Sequence, residues 1–270
     1  MDFGGLGMES IAIVAILFAV VAFFYSNLGL GGGQLYVPIM VFFFGSLLDM
    51  KGIVPLSLAC AFVTMASATA THNKKELVDF RLGIQLAIAG IIGVIGGVVF
   101  TLSAAENVVK GAFATMLVIV ATKMMYDIYK GKKDNSASPT RYSSRLLIGG
   151  MGVSILTGFL IGSFGIGGGV VSVPLIVYVF KMEPRRAIGT SALMGAILTP
   201  VAFIAYALNS EQGVIIHYDL ALVLAPIVLV FALIGSTWGL EKLRTKTVKT
   251  IFTCGVYLAA TGMIYSLLFQ

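Results

Sequence analysis

Ten stretches of mostly apolar residues run along the chain, separated by short polar or charged loops. Most of these stretches approach the roughly 20 residues that an α-helix needs to cross a bilayer, whereas the second and the seventh are shorter. The pattern predicts an all-α polytopic membrane protein. The stretches cover about residues 10–28, 34–48, 52–71, 82–102, 107–127, 146–164, 170–180, 187–208, 220–239 and 248–269.

Composition supports a membrane location. The 270 residues are 58% hydrophobic and 11% charged, whereas soluble domains carry roughly 25% charged residues. The net charge of +6 comes from residues in the short loops, which is typical of membrane topology signals rather than of a nucleic-acid interface. We therefore expect a multi-pass protein of the cytoplasmic membrane that contacts lipid and no nucleic acid. The first ten residues lack the basic stretch of a cleavable signal peptide.

Two glycine-rich stretches interrupt the apolar pattern, and each precedes one of the two short segments. The first reads NLGLGGGQLYVP over residues 27–38, and the second reads SFGIGGGVVSVP over residues 163–174. Glycine-interrupted, short segments at matching places in two halves are typical of a transporter's substrate site. The candidate substrate-binding glycines are Gly29, Gly31, Gly32 and Gly33 in the first half and Gly165, Gly167, Gly168 and Gly169 in the second.

The internal similarity extends beyond the glycines and divides the chain. It predicts a first transmembrane repeat over residues 1–128, a cytoplasmic linker over 129–145 and a second repeat over 146–270. The linker is basic, whereas the loops at 103–107 and 209–213 carry no Lys or Arg, so the positive-inside rule places the linker inside and these loops outside. Because each half has five segments, the second must enter the membrane from the opposite side. We therefore expect an inverted-topology repeat with both termini outside.

The glycines have a physical use at these places. Glycine permits left-handed backbone and close approach, and non-helical backbone is tolerated in lipid only where protein or a cavity lines it. Pro38 and Pro174 suit the first turn of the helices that follow, whose free N–H groups would attract an anion. Close helix packing by small residues is the alternative, and it is the better explanation for Gly93, Gly96 and Gly97.

Side chains near the short segments add candidates for the substrate site. Ser57, Thr190 and Ser191 carry hydroxyls that can donate to an oxyanion, although such hydroxyls also bond back to their own helix. Gln34 has Val170 at the matching position of the second half, and this asymmetry suggests a substrate contact.

Two basic residues also hold equivalent positions in the repeat. Lys51 and Arg185 would lie at opposite membrane faces and could attract an anion to each entrance of the transport pathway. Simple anchoring at the lipid interface is the alternative.

Catalytic patterns are missing from the sequence. There is no Ser/His/Asp, Cys/His or metal-ligand constellation, and Cys60 and Cys254 stand alone in apolar stretches, as reduced core residues do. No Asp or Glu falls in the middle of a predicted span. We expect neither enzymatic activity nor a bound metal or cofactor, and the sequence shows no obvious coupling site.

These motifs together resemble the TauE/SafE family of membrane transporters. The pattern G-[LI]-GGG-x3-VP occurs twice, and GTS follows the second copy at residues 189–191, whereas the first half has VPLS at 54–57 where the second has IGTS. The resemblance implies a secondary transporter that exports sulfite, sulfoacetate or a related organosulfonate by alternating access. An anion channel and a membrane subunit of a larger complex are the alternatives. The sequence leaves open the exact substrate, the coupling ion, the direction of transport and whether the chain forms a homo-oligomer.

Overall fold

A computed structural model describes residues 7–130, 143–209, 213–242 and 245–269. Throughout these ranges the regular secondary structure is α-helical, which confirms the predicted fold class. Most of the predicted linker at 129–145 lies outside the described residues. The helices are α1 Met8–Ser26, α2 Gly33–Phe44, α3 Met50–Lys74, α4 Phe80–Ser103, α5 Glu106–Lys130, α6 Ser144–Phe164, α7 Gly169–Tyr178, α8 Pro184–Ala207, α9 Tyr218–Lys242 and α10 Thr245–Phe269.

Six of these helices are long and apolar enough to cross a membrane: α1, α3, α4, α6, α8 and α9. The two short segments have 12 residues in α2 and 10 in α7. At 1.5 Å per residue, α2 extends roughly 18 Å, well below the roughly 30 Å of the hydrocarbon core. The chain is thus a multi-pass membrane protein in which two helices are too short to span alone.

Aspartates define where α3 and α4 begin. The Asp49 carboxylate accepts the N–H of Gly52 at 3.0 Å, and the Asp79 carboxylate accepts the N–H of Leu82 at 3.0 Å. Such caps satisfy N–H groups that have no partner inside the helix and contribute about 1 kcal/mol each.

The helices pack in a pattern that recurs when α1–α5 are matched with α6–α10. The helix α3 packs on its counterpart α8, and α5 packs on α10. The pair α4 and α6 corresponds to α9 and α1, and the pair α3 and α9 corresponds to α8 and α4. The two halves therefore interlock through equivalent contacts. The direction in which each half crosses the membrane stays a prediction.

The interface between α4 and α6 brings two backbones together. A Cβ atom added to Gly93 or Gly97 would collide with the backbone of α6 near Ile155 and Phe159, whereas one added to Gly96 would have its nearest neighbour at 3.8 Å. Helix packing thus accounts for Gly93 and Gly97, as expected, and Gly96 has room for a side chain.

Candidate functional site at the glycine crossing

The two glycine segments cross inside the protein. A Cβ atom added to Gly31 would lie 2.5 Å from the Cα of Gly167, its repeat partner. Residues 25–34 and 161–169 are all buried. The breaks in the helical backbone are therefore lined by protein on every side, which is the condition for irregular backbone at membrane depth.

Close approach and conformation both require glycine at this crossing. A Cβ atom on Gly33 would collide with the carbonyl of Gly165, and one on Gly169 would collide with the carbonyl of Gly29. The residues that precede α2 and α7 are left-handed, with φ of 87° at Gly32 and 79° at Gly168. Other L-residues adopt this conformation only with strain.

Both short helices begin at the crossing in the same way. The carbonyl of Gly32 accepts the N–H groups of Leu35 and Tyr36 at 2.9 and 3.0 Å, and the carbonyl of Gly168 accepts those of Val171 and Ser172 at 3.2 and 3.1 Å. The N–H groups just before them have no acceptor inside their helix. Each helix start therefore presents donors and a partial positive charge at the breaks.

Two serine hydroxyls connect each half to the break of the other half. Ser57 Oγ donates to the carbonyl of Gly165 at 3.0 Å, and Ser191 Oγ donates to the carbonyl of Gly29 at 3.4 Å. Ser191 Oγ also lies 2.7 Å from Ser172 Oγ. The two serines make equivalent contacts with glycine carbonyls although the residues before them differ, with VPL at 54–56 and IGT at 188–190. They hold backbone across the crossing rather than bonding to their own helices.

The remaining polar candidates lie elsewhere. Thr190 Oγ1 accepts the backbone N–H of Asp79 at 3.0 Å, so this hydroxyl ties α8 to the start of α4 on another face of the helix. Lys51 is half-buried in the first turn of α3, and Arg185 is exposed in the first turn of α8. The structure thus brings the glycines, Gln34, Ser57 and Ser191 together. Thr190, Lys51 and Arg185 lie elsewhere.

Met65 occupies the crossing, and the sequence analysis missed it. Its Cε lies 3.0, 2.9 and 2.7 Å from the positions that Cβ atoms would take on Gly31, Gly167 and Gly195. The methyl group thus fills the point where both breaks meet α8. An apolar residue in an apolar helix gives little sign of a functional role in the sequence. The repeat offers one difference at this position, since Met65 is matched by polar Thr199 in the second half.

Over the described ranges, no three His, Cys, Asp or Glu side chains cluster as metal ligands would. Cys60 is buried, as expected, but Cys254 is exposed, so the expectation that both lie in the core was wrong for Cys254. A long apolar helix can place any of its faces outward, since lipid replaces water around it.

Comparison with known proteins gives a family and several relatives for this chain. The family model "Sulfite exporter TauE/SafE" matches residues 13–263. The chain is 24% identical to the probable membrane transporter protein YunE of Bacillus subtilis, with 97% of this chain and 100% of the relative covered. It is 26% identical to the probable membrane transporter protein MJ0441 of Methanocaldococcus jannaschii, with 82% and 80% covered.

A third relative is longer than this chain. The probable membrane transporter protein MamO of Paramagnetospirillum magneticum is 25% identical over 97% of this chain, which covers 45% of that protein. No solved structure matches. The family match over nearly the whole chain, together with these membrane-transporter relatives, shows that the chain belongs to the TauE/SafE sulfite exporter family.

Proposed function

We propose that the protein is a secondary transporter that exports a small sulfur-containing anion, such as sulfite, sulfoacetate or a related organosulfonate. The observation that carries the proposal is the meeting of two helix starts at one buried crossing, where Gly31 and Gly167 touch. Two sets of N–H donors and two partial positive charges then act on one small volume. The family's name supports the choice of a sulfur oxyanion.

The surroundings favour an anion over a cation. No Asp or Glu is among the buried side chains in the part of the chain that the structure describes, so an anion at the crossing meets no repulsion from a buried carboxylate. Helix starts favour an anion by up to about 2 kcal/mol each when partly buried. Hydrogen bonds to a charged group contribute about 1.5–3 kcal/mol each. These contributions offset part of the cost of removing water from the anion.

The expected affinity is accordingly weak. We expect a dissociation constant between the high micromolar and the millimolar range, which corresponds to about −4 to −6 kcal/mol. Weak binding suits a carrier because the cargo must also leave.

Alternating access is the proposed mechanism. The equivalent packing of α1–α5 and α6–α10 supports two bodies that rock against each other around the crossing. The Met65 methyl group must move when the anion passes, because it fills the junction with Gly195. Such a carrier requires no catalytic residue, and we propose that the protein is not an enzyme.

Transport by the purified protein in liposomes tests the proposal. We expect saturable, strongly temperature-dependent uptake of sulfite or sulfoacetate, with counterflow, and no uptake of tetramethylammonium. Phosphate serves as the comparison oxyanion. Uptake that does not saturate and shows no counterflow would instead indicate a channel, and absence of transport for every sulfur anion would refute the proposal.

Cysteine labelling tests the proposed inverted topology. Ser136→Cys and Ser210→Cys, both outside the described residues, would be placed singly in a chain that lacks Cys60 and Cys254. Because the basic linker is expected inside and the other loop outside, an impermeant reagent should label only Ser210→Cys in intact cells. Equal labelling of both variants from one side would exclude the inverted repeat.

A further inference from the structure

Gln34 places a carboxamide at the glycine crossing. It is the second residue of α2 and is fully buried, and its Nε2 donates to the carbonyl of Leu30 at 3.4 Å. That carbonyl oxygen lies 2.7 Å from the position that a Cβ atom would take on Gly167. The side chain thus folds back from the start of α2 toward the point where the two breaks meet.

The other end of this carboxamide has no partner. Gln34 Oε1 is buried, and within the part of the chain that the structure describes it accepts no hydrogen bond. The orientation of the group is determined by Leu30, since a rotated carboxamide would set two oxygen acceptors against each other. Buried polar groups without a partner are few in native proteins, and each needs an explanation.

The chemistry of the crossing makes this acceptor unusual. The helix starts contribute N–H donors, and the hydroxyls of Ser57 and Ser191 are already directed at glycine carbonyls. The second half has Val170 at the position of Gln34, and Val170 is only half-buried. Gln34 Oε1 is therefore an open acceptor at the start of a helix that presents N–H donors, and the matching position of the second half carries no acceptor side chain.

We infer that the transported anion carries an O–H or N–H group of its own and donates a hydrogen bond from it to Gln34 Oε1. This inference rests on the proposed function and names the substrate class of the same site. The negative charge of the anion would face the helix starts, and its donor would face the open carboxamide oxygen. Bisulfite and other singly protonated oxyanions, hydroxysulfonates and aminosulfonates have this combination. Fully ionised sulfite, fully ionised sulfoacetate and simple alkyl sulfonates lack the donor, so the inference narrows the proposed class of substrate.

Two pairs of matched anions test the inference in the liposome assay. Sulfamate and methanesulfonate have one charge and nearly the same size, and they differ in an amino group replacing a methyl group. Isethionate and propanesulfonate form a larger pair, in which a hydroxyl replaces a methyl group. We expect the donor-bearing member of the transported pair to compete about tenfold more strongly, because its rival leaves the acceptor unmatched.

A variant and its control locate the effect. Gln34→Leu should reduce the preference within a pair to about one, because the open acceptor is gone. Val170→Leu changes an apolar residue at the matching position of the other half, and it should leave the preference at its wild-type value. The ratio between two anions does not depend on how much protein folds, so a loss of stability in Gln34→Leu would not imitate the result.

The outcomes separate this inference from the function on which it rests. Equal competition within both pairs by the wild-type protein would overturn the inference, since a water molecule or another group would then satisfy Gln34 Oε1. Failure of all four anions to compete with sulfite would overturn it as well. If no sulfur anion is transported at all, the proposed function itself is refuted.

Discussion

The interfaces α4–α6 and α1–α9 hold equivalent places in the two halves but are built differently. On α6, Cβ atoms added to Gly158 or Gly162 would collide with the backbone of α4, and Ser154 Oγ donates to the carbonyl of Leu86. The helix α1 contains no glycine. Its contact with α9 includes Gly235, which rests on the backbone of Phe23, and the rings of Phe23 and Trp238, 5.9 Å apart.

This difference indicates which of the two interfaces can change its side-chain packing. Backbones in direct contact leave no side chain that can rotate to absorb a shift, whereas aromatic side chains can repack in other rotamers. We therefore expect α4 and α6 to keep their contact during transport and to act as the pivot about which the two halves rock. The interface between α1 and α9 is the one we expect to repack.

The largest effect should come from filling the α4–α6 interface. Gly158→Ala should lower the free energy of unfolding by about 3 kcal/mol or more, because its Cβ would overlap the backbone of Gly90, which cannot rotate away. Thermal unfolding in detergent measures the loss.

Gly152→Ala is the matched control on the same helix. A Cβ atom there meets nothing within 4 Å, so the substitution should be neutral or stabilising by about 0.5 kcal/mol through helix propensity. If both variants unfold alike, the contact between the two backbones is not what holds α4 and α6 together.

A smaller effect is expected at the corresponding place on α9. Gly235→Ala also collides with backbone, at Phe23, but the facing helix is held there by side chains that can shift. We expect a loss of about 1–2 kcal/mol in the free energy of unfolding. A loss equal to that of Gly158→Ala, measured in the same detergent, would break the comparison between the two interfaces.

The smallest effects should come from the two serines at the crossing, and they extend the comparison to the breaks themselves. Ser57→Ala should lower the free energy of unfolding by about 1 kcal/mol, because its hydrogen bond to Gly165 is 3.0 Å long. Ser191→Ala should cost at least as much, since it removes the 2.7 Å hydrogen bond with Ser172 Oγ together with the longer bond to Gly29 at 3.4 Å.

Side-by-side chemical unfolding of the two serine variants gives the order. Ser10→Ala is the reference substitution. Ser10 is half-buried in the first turn of α1, at the opposite end of that helix from the first break. A smaller loss for Ser191→Ala than for Ser57→Ala would show that the hydrogen bond between Ser191 and Ser172 contributes little to stability.

The sequence by itself determined the local features of this protein. Runs of apolar residues showed where the helices of the described ranges form, because a buried or lipid-facing helix needs such a run. The glycine clusters indicated left-handed backbone before the short helices, because few other residues adopt it, and Gly32 and Gly168 do so. The doubled motif around them also placed the chain in its family, as the match over residues 13–263 confirms.

Only the tertiary structure decided which side chains share the crossing. Ser191 and Thr190 are neighbours in the sequence, yet one reaches the break at Gly29 and the other reaches Asp79. Helices that are apolar on every side carry no amphipathic signal that separates the inner face from the lipid face. The position of Met65 and the open oxygen of Gln34 therefore depend on contacts between residues far apart in the chain, which no local pattern encodes.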